Sequence, residues 1–394
     1  MKILRATALV FLLAASASCR KIDVEPAERD RVLIYYAAGF NNISSYLDED
    51  IEELCTKGYI PEKNSRNVLL VFRNLADGSY TTPATPELFR VYRGKKGNII
   101  KETVFTFEPG TVAASAGTLF ATLSYVRYNY PSDKYGLIFS SHATGWLPAS
   151  HTTLKSRAGS SASPSSIGNE YSPETGLGIQ YEMNLADFAD AIPMHLDYIL
   201  FDACFMGGVE VAYQLKDVCD RIAFSQAEVL ADGFDYTTMA TYLLRSDCDL
   251  YGVCKAYYDH YKNLTGEENS ATVSLVDCNM LYKLALVCKD IFEKHRDGLS
   301  LIDPDNVQCF GRESRHMYFY DLRDIMNQLD LTREEKDSFD SALDECIIYA
   351  ATTGRMINIR IDEFCGLSSY CPNKFTYDEF YKTLAWNQAT EMIK

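Results

Sequence analysis

The sequence predicts an α/β fold: a mostly parallel β-sheet flanked by helices on both faces, with a more helical C-terminal part. Three observations carry this. Short apolar runs without polar alternation recur along the chain, as strands covered on both faces require. Between them lie segments with apolar residues at helical spacing. Of the 394 residues, 47% are hydrophobic, enough for a large core, and the 22 glycines and 12 prolines show no fibrous bias.

The first segment stands outside the fold. Lys2 and Arg5 precede a nearly all apolar or small run from Ala6 to Ala17, the length of a signal-peptide core and short for a bilayer span. Ser16-Ala17-Ser18-Cys19 then resembles a bacterial lipobox, with serine where leucine is usual. The expectation is a lipoprotein signal over 1–18, lipid on Cys19, a linker over 19–30 and attachment to a membrane of the bacterial cell envelope. Ordinary secretion is the runner-up.

Val32 to Ala37 reads as the first buried strand. Ile43, Leu47, Ile51 and Leu54 follow at helical spacing with acids between them. Val68 to Phe72 is the next strand. Candidate strands at Leu88–Tyr92 and Thr103–Phe107, with Gly94 and Gly97 between, form a hairpin. A helix runs from Ala116 to about Asn129 and stops at Pro131. Gly136–Ser141, Tyr198–Ala203 and Ile222–Ser225 are further strands. Asn184–Ile192, ended by Pro193, and Val209–Leu215 are helices. The Ser/Gly-rich stretch from Ser150 to Tyr181 has no periodicity and reads as one long loop, functional or mobile. Beyond about 240 come helices at Tyr251–Tyr261, Met280–Phe292, Tyr320–Leu329 and Glu334–Ala351, with a strand at Ala271–Val276.

Charge and cysteine usage narrow the function. With 38 Lys+Arg against 54 Asp+Glu, the formal charge is −16, which opposes nucleic-acid phosphates and argues against a nucleic-acid partner. Apart from Cys19 the cysteines show no CxxC spacing. The pairs Cys248/Cys254 and Cys365/Cys371 have no histidine placed in the zinc-finger manner, so no structural metal is read. Cys219, Cys278, Cys288 and Cys346 read as small core side chains.

Two residues stand apart by position. His142 immediately follows the strand Gly136–Ser141, and Cys204 immediately follows Tyr198–Ala203. Functional groups collect at the C-terminal ends of parallel strands, so neighbouring strands would bring both side chains to one crevice. A nearby imidazolium favours the reactive thiolate, and the imidazole can protonate a leaving amine. Gly207-Gly208 allows a helix to begin close behind Cys204, with free amides that favour the thiolate further. Spacing alone also permits a buried strand-end cysteine and a hydrogen-bonded loop histidine.

The segments around these residues resemble the clostripain family of cysteine peptidases, whose fold is related to caspases, gingipains and legumains. The resemblance lies in Tyr130 to Ile138 leading to Ser141-His142-Ala143-Thr144-Gly145-Trp146, in Phe201-Asp202-Ala203-Cys204-Phe205-Met206-Gly207, and in Cys365-Gly366-Leu367-Ser368-Ser369-Tyr370-Cys371-Pro372. It spans about Val32 to Trp386. It implies a caspase-like catalytic domain over 31–240, including loop 150–181, with a C-terminal part over 241–394 packed on it. It implies peptide-bond hydrolysis by a His142–Cys204 dyad, with the backbone N–H groups of Ala143 and Cys204 as oxyanion donors. The family has glycine where Ala143 stands, so alanine fits only if that backbone avoids positive φ.

The resemblance further implies substrates with Arg or Lys at P1, held in S1 by Asp202 and by a second acid, for which Asp232 is preferred over Asp235. Some relatives are proenzymes cut between the two motifs. The candidate self-cleavage residues are Arg157, then Lys155. No cofactor is required, and no calcium-binding run is present, although some relatives use calcium. The alternative is a catalytically weak or inactive relative acting as a peptide-binding or surface scaffold protein, motivated by Ala143.

Overall fold

The structure, a computed structural model, describes residues 29–77, 82–149, 166–173, 176–245 and 248–394. The apolar runs pair side by side. β1 (Arg31–Gly39) is buried along its whole length and lies parallel to β2 (Asn67–Leu75), with Val32 opposite Val68. β3 (Glu87–Arg93) and β4 (Ile99–Thr106) form the expected hairpin, antiparallel on β2. On the other side of β1 comes β5 (Tyr135–Ser140), also parallel.

The stretch read as one long loop contains a correction. β6 (Ile167–Ser172) and β7 (Gly176–Met183) form an antiparallel hairpin. Its first strand is Ile-Gly-Asn-Glu-Tyr-Ser, polar at positions that are nevertheless buried, so no apolar pattern announces it. The Glu170 carboxylate is fully buried and accepts from the backbone N–H groups of Ala113 (2.5 Å), Ala114 (3.0 Å) and Phe40 (3.3 Å) and from Asn74 Nδ2 (2.8 Å). Hydrogen bonds replace hydrophobic burial as the fastening there. Burial still pushes its pKa up to about 7.

β8 (Leu196–Asp202) lies parallel to β5, and β9 (Cys219–Phe224) parallel to β8. β10 (Thr272–Asp277) and, beyond the two-residue β11 (Tyr320–Asp321), β12 (Ile347–Thr352) add antiparallel strands. The resulting nine-stranded order is β12-β10-β9-β8-β5-β1-β2-β3-β4. Residues from beyond 240 thus hydrogen-bond into the same sheet as β1.

Alternate residues of β1 enter two different cores. Val32, Ile34 and Tyr36 join one, and Leu33, Tyr35 and Ala37 the other, which is why the strand shows no polar alternation. The helices that cover the two faces are α1 (Ser44–Thr56), α2 (Ala116–Asn129), α3 (Leu185–Asp190), α4 (Val209–Leu215), α5 (Tyr236–Leu243), α6 (Leu250–Lys262) and α7 (Leu281–Lys294). Apolar residues of α1, α5 and α6 share the core of Leu33. Those of α2, α3, α4 and α7 share that of Val32.

In the C-terminal part α8 (Arg296–Leu299) and α9 (Leu322–Asn327) are short, and α10 (Arg333–Cys346) carries a full capping box between Thr332 and Glu335. The helix expected over Glu334–Ala351 ends at Cys346, because Ile347-Ile348-Tyr349 is β-branched and aromatic and takes the free edge of β10 as β12. Among the described residues no helix is long and apolar enough to cross a membrane.

Candidate active site

Strand register fixes where the two motifs emerge. Ser140 of β5 is the partner of Asp202 of β8, and the Ser141 N–H donates to the Asp202 carbonyl at 3.4 Å. His142 and Cys204 each lie two residues beyond that pair, at the C-terminal ends of adjacent parallel strands. The loops touch. Gly145 sits at φ +58, and a Cβ there would come within 2.4 Å of the Phe205 carbonyl oxygen, so only glycine allows the approach. Phe205 itself is held at φ 60 by its buried ring, stacked on Phe319 at 4.7 Å, and by its N–H bond to Ala227 O at 2.8 Å.

The C-terminal segment braces this turn. Ser368 N–H donates to Gly207 O (2.9 Å), Gln226 Nε2 to Gly366 O (2.7 Å), and buried Glu210 of α4 accepts from Ser369 Oγ, the Tyr370 N–H and Tyr381 Oη. Trp146, fully buried, packs edge-on against Tyr370 and Tyr381. One C-terminal stretch therefore supports both the histidine loop and the cysteine loop.

The two side chains are each engaged elsewhere. His142 is half-buried and its Nε2 lies 2.7 Å from Asn42 Oδ1. Cys204 Sγ accepts from the Val229 N–H at 3.3 Å and lies 3.8 Å from Val229 O. No hydrogen bond joins His142 to Cys204. Burial pushes the His142 pKa down to about 4. Burial, then the charge of Glu228, pushes the Cys204 thiol up to about 12, against smaller opposing effects of the Val229 N–H and Arg312. At neutral pH the pair is a neutral thiol beside a neutral imidazole. The expected thiolate stabilisation from an imidazolium and from helix amides is absent here: the Gly207 N–H is spent on Ser225 O at 2.6 Å, and α4 begins only at Val209. Ala143 is buried, bridges to Ile167 and is not among the residues at positive φ, so alanine is unstrained there.

Asp202 is 7% exposed and accepts from Tyr236 Oη at 2.6 Å and Ser140 Oγ at 3.5 Å, while burial raises its pKa to about 6. A Cβ on Gly233 would fall 2.7 Å from Asp202 Oδ2. Gly233 also lines a cleft of about 330 Å³ together with Asp232, Asp50, Glu49 and Glu53. Asp202 thus packs against Gly233, which lines that cleft beside Asp232. Asp235 lines the same cleft and also caps α5, accepting from the Thr237 N–H at 3.1 Å.

Sequence reading missed Asn42 and Asp50. Nothing local marks Asn42. Asp50 did leave a signal: it stands three residues after Leu47 and four before Leu54, on the apolar stripe of α1, where an acid is out of place. Burial and the Asp202 charge raise its pKa to about 9. Cys19, Lys155 and Arg157 lie outside the described residues.

The model of the clostripain family matches residues 35–391. Clostripain of Hathewaya histolytica is 24% identical over 310 residues, covering 74% of this chain and 53% of that protein, so the chain spans about half the length of that relative. An inactive zymogen C11 protease from Parabacteroides distasonis superposes with a TM-score of 0.77 at 25% identity, covering 93% of this chain and 99% of the other. A secreted C11 cysteine protease from Bacteroides thetaiotaomicron gives 0.77 at 23% identity, covering 93% and 100%. The mixed sheet with helices on both faces and a helical C-terminal part is therefore the caspase-like fold of these C11 proteases. With a match that runs from within β1 almost to the last residue, the chain belongs to the clostripain family of cysteine proteases.

Proposed function

We propose that the protein is a cysteine endopeptidase that hydrolyses peptide bonds after Arg or Lys. Cys204 attacks the scissile carbonyl carbon, and its proton passes to His142. The backbone N–H groups of Ala143 and Cys204 receive the oxyanion. His142 then protonates the leaving amine, and afterwards takes a proton from the water that releases the acyl group. The observation that carries this reading is the common sheet end of His142 and Cys204, with the loops in contact at Gly145 and Phe205. Asp202 and Asp232 supply the negative charge for a P1 guanidinium or ammonium.

The test is turnover of matched peptides with Arg, Lys, Leu or Asp at P1. Arg and Lys substrates are cleaved, Leu and Asp substrates are not, Cys204→Ala is inactive yet folded, and Asp202→Asn loses most of the basic preference. Equal turnover of Arg and Leu substrates rules out the pocket.

The neutral Cys204 and His142, each bonded to another partner, fit a dormant state. We infer that cleavage after Arg157, or after Lys155, converts it to the active one. The same missing hydrogen bond between them favours a second reading, a weak or inactive relative that binds peptides. A cleaved chain that binds basic peptides without turning them over selects it. The mature protein is anchored through lipid on Cys19. Globomycin-sensitive processing and partitioning into detergent are the expected results, and a lipid-free mature protein beginning after residue 19 contradicts them.

A further inference from the structure

The end of the sheet opposite the active site is basic. β1, β2, β5 and β8 are parallel, and His142 and Cys204 follow the C-terminal ends of β5 and β8. At the N-terminal ends of the same strands, Arg31, Asn67, Tyr135 and His195 line a cleft of about 870 Å³. Six cations line it, Arg29, Arg31, Arg66, Arg127, Lys134 and Arg245, against two acids, Asp30 and Asp133. The whole chain has the opposite balance, 38 Lys+Arg to 54 Asp+Glu, so composition does not account for this concentration. One of the two acids is taken up, Asp30 by Arg66 at 2.7 Å. Arg31, 3% exposed, pairs through Nη1 with Asp197 at 2.5 Å, and its Nε is buried without an acceptor. Lys134 and Arg245 are exposed and enter no ion pair among the described residues.

Phosphate is the chemistry that this face fits, since its several acceptor oxygens match guanidinium forks. Two observations select a phospholipid surface over a soluble phosphate. Tyr128 stands next to Arg127 in the last turn of α2 and is 86% exposed, and tyrosine is a residue of membrane–water interfaces. The cleft also lies where the chain leads back to Cys19. Arg29 lines it, and residues 20–28 are all that stand between. Ten Cα steps of at most about 3.6 Å reach roughly 36 Å, so a lipid on Cys19 keeps this face within that distance of the bilayer. β5 has six residues, about 20 Å at 3.3 Å each, which sets the His142 loop on the far side.

We propose that the basic cleft lined by Arg31, Lys134 and Arg245 is a docking surface for anionic phospholipid headgroups, which stands the protein on its membrane with the peptidase crevice facing away. This rests on the reading of Cys19 as the lipid anchor. Acyl chains on Cys19 supply retention, and the basic face supplies orientation, because a tether of that reach alone leaves the domain free to tumble. The crevice is then presented to proteins in the aqueous phase.

The test uses the protein from residue 19 on, which contains every described residue, with Cys19→Ser so that no lipid contributes. It is sedimented with phosphatidylcholine vesicles made with and without phosphatidylglycerol. The protein partitions onto the phosphatidylglycerol vesicles, stays off the neutral ones, and is released by added salt. Lys134→Gln with Arg245→Gln lowers the partition coefficient by about 25-fold, about 5-fold per charge, and Lys134→Arg with Arg245→Lys restores it. Tyr128→Trp reports which face docks. The chain's two tryptophans, Trp146 and Trp386, are fully buried, so the emission of the added exposed indole moves to the blue on phosphatidylglycerol vesicles. No sedimentation, equal sedimentation with both vesicles, or an unaffected double glutamine variant overturns the proposal. An unshifted Tyr128→Trp on vesicles that do sediment the protein overturns this face as the docking surface. Calorimetric binding of inorganic phosphate without vesicle binding makes the site one for a soluble anion and overturns the membrane as partner. A native protein that carries no lipid on Cys19, while the vesicle results hold, removes the anchor and leaves the docking surface standing.

Discussion

The state of the Cys204 thiol can be measured directly. In the uncut chain its pKa is about 12, against 9.0 for an ordinary thiol, so the thiolate fraction at pH 8 is lower by about 10³. A more basic thiolate is intrinsically more nucleophilic, with a Brønsted slope of about 0.4–0.5, which recovers about 15- to 30-fold over three units. The net expectation is alkylation by iodoacetamide about 30- to 60-fold slower than a solvated cysteine, still rising with pH above 10. The assay is a pH series on a chain kept whole by Lys155→Gln and Arg157→Gln, with Cys204 followed by site-resolved mass spectrometry. The sign follows from the causes: Glu228 places negative charge near the sulfur, so Glu228→Gln moves the midpoint down, toward an ordinary thiol. A midpoint below pH 8 in the uncut chain would refute the dormant pair.

Activation follows from the same chemistry. Incubated wild type is expected to yield a chain beginning at Ala158 or Ser156 by mass spectrometry, while Cys204→Ala stays whole. The double replacement of Lys155 and Arg157 delays or prevents activity on small Arg substrates, and full activity from that intact variant eliminates the activation role. The cut chain is expected to alkylate Cys204 with a lower midpoint than the uncut one, and an unchanged midpoint places the activating change away from the thiol.

The central strands were legible because each carries apolar residues on both faces. Val32, Ile34 and Tyr36 enter one core and Leu33, Tyr35 and Ala37 the other, so the sequence shows an unbroken run. The hairpin β6–β7 was not legible, since Glu170 and Asn169 are buried through hydrogen bonds rather than apolarity, and no periodicity records a bond to Ala113 or Gln180. The end of α10 failed for a tertiary reason, the free edge of β10, which only the assembled sheet supplies. Strand-end position singled out His142 and Cys204, and the family motifs Asp202. Asn42 and Asp50 lie about a hundred and a hundred and fifty residues from the motifs they meet, and only the fold brings them there. Their ionisation was also beyond the sequence: motif reading expects a thiolate, whereas burial and Glu228 hold a thiol.

The hydrogen bonds around the site separate the contacts that the proposed cuts leave in place from those around the sulfur. The histidine loop is held by partners that a cut at Arg157 or Lys155 leaves in place. Ser141 Oγ donates to Ala38 O of β1 at 2.6 Å, the Thr144 N–H donates to Ser166 O at 2.8 Å, the Ser166 N–H donates to Thr144 Oγ1 at 2.6 Å, and Ala143 bridges to Ile167. Those bonds run to β1 and to the start of β6, on both sides of the proposed cuts, so the backbone around His142 keeps its anchors. The cysteine turn is likewise braced by Glu210 and the C-terminal segment. What is not braced in this way is the chemistry at the sulfur: its contacts with Val229, and the Glu228 charge, which is shared with Arg312 through an ion pair of 2.6 Å. Burial pushes the thiol pKa up and the imidazole pKa down, so both shifts oppose passing the Cys204 proton to His142 in this state. If a cut activates the protein, the expected change is a rearrangement of the Glu228–Val229 segment or entry of water and substrate beside it, lowering the thiol pKa and raising that of His142.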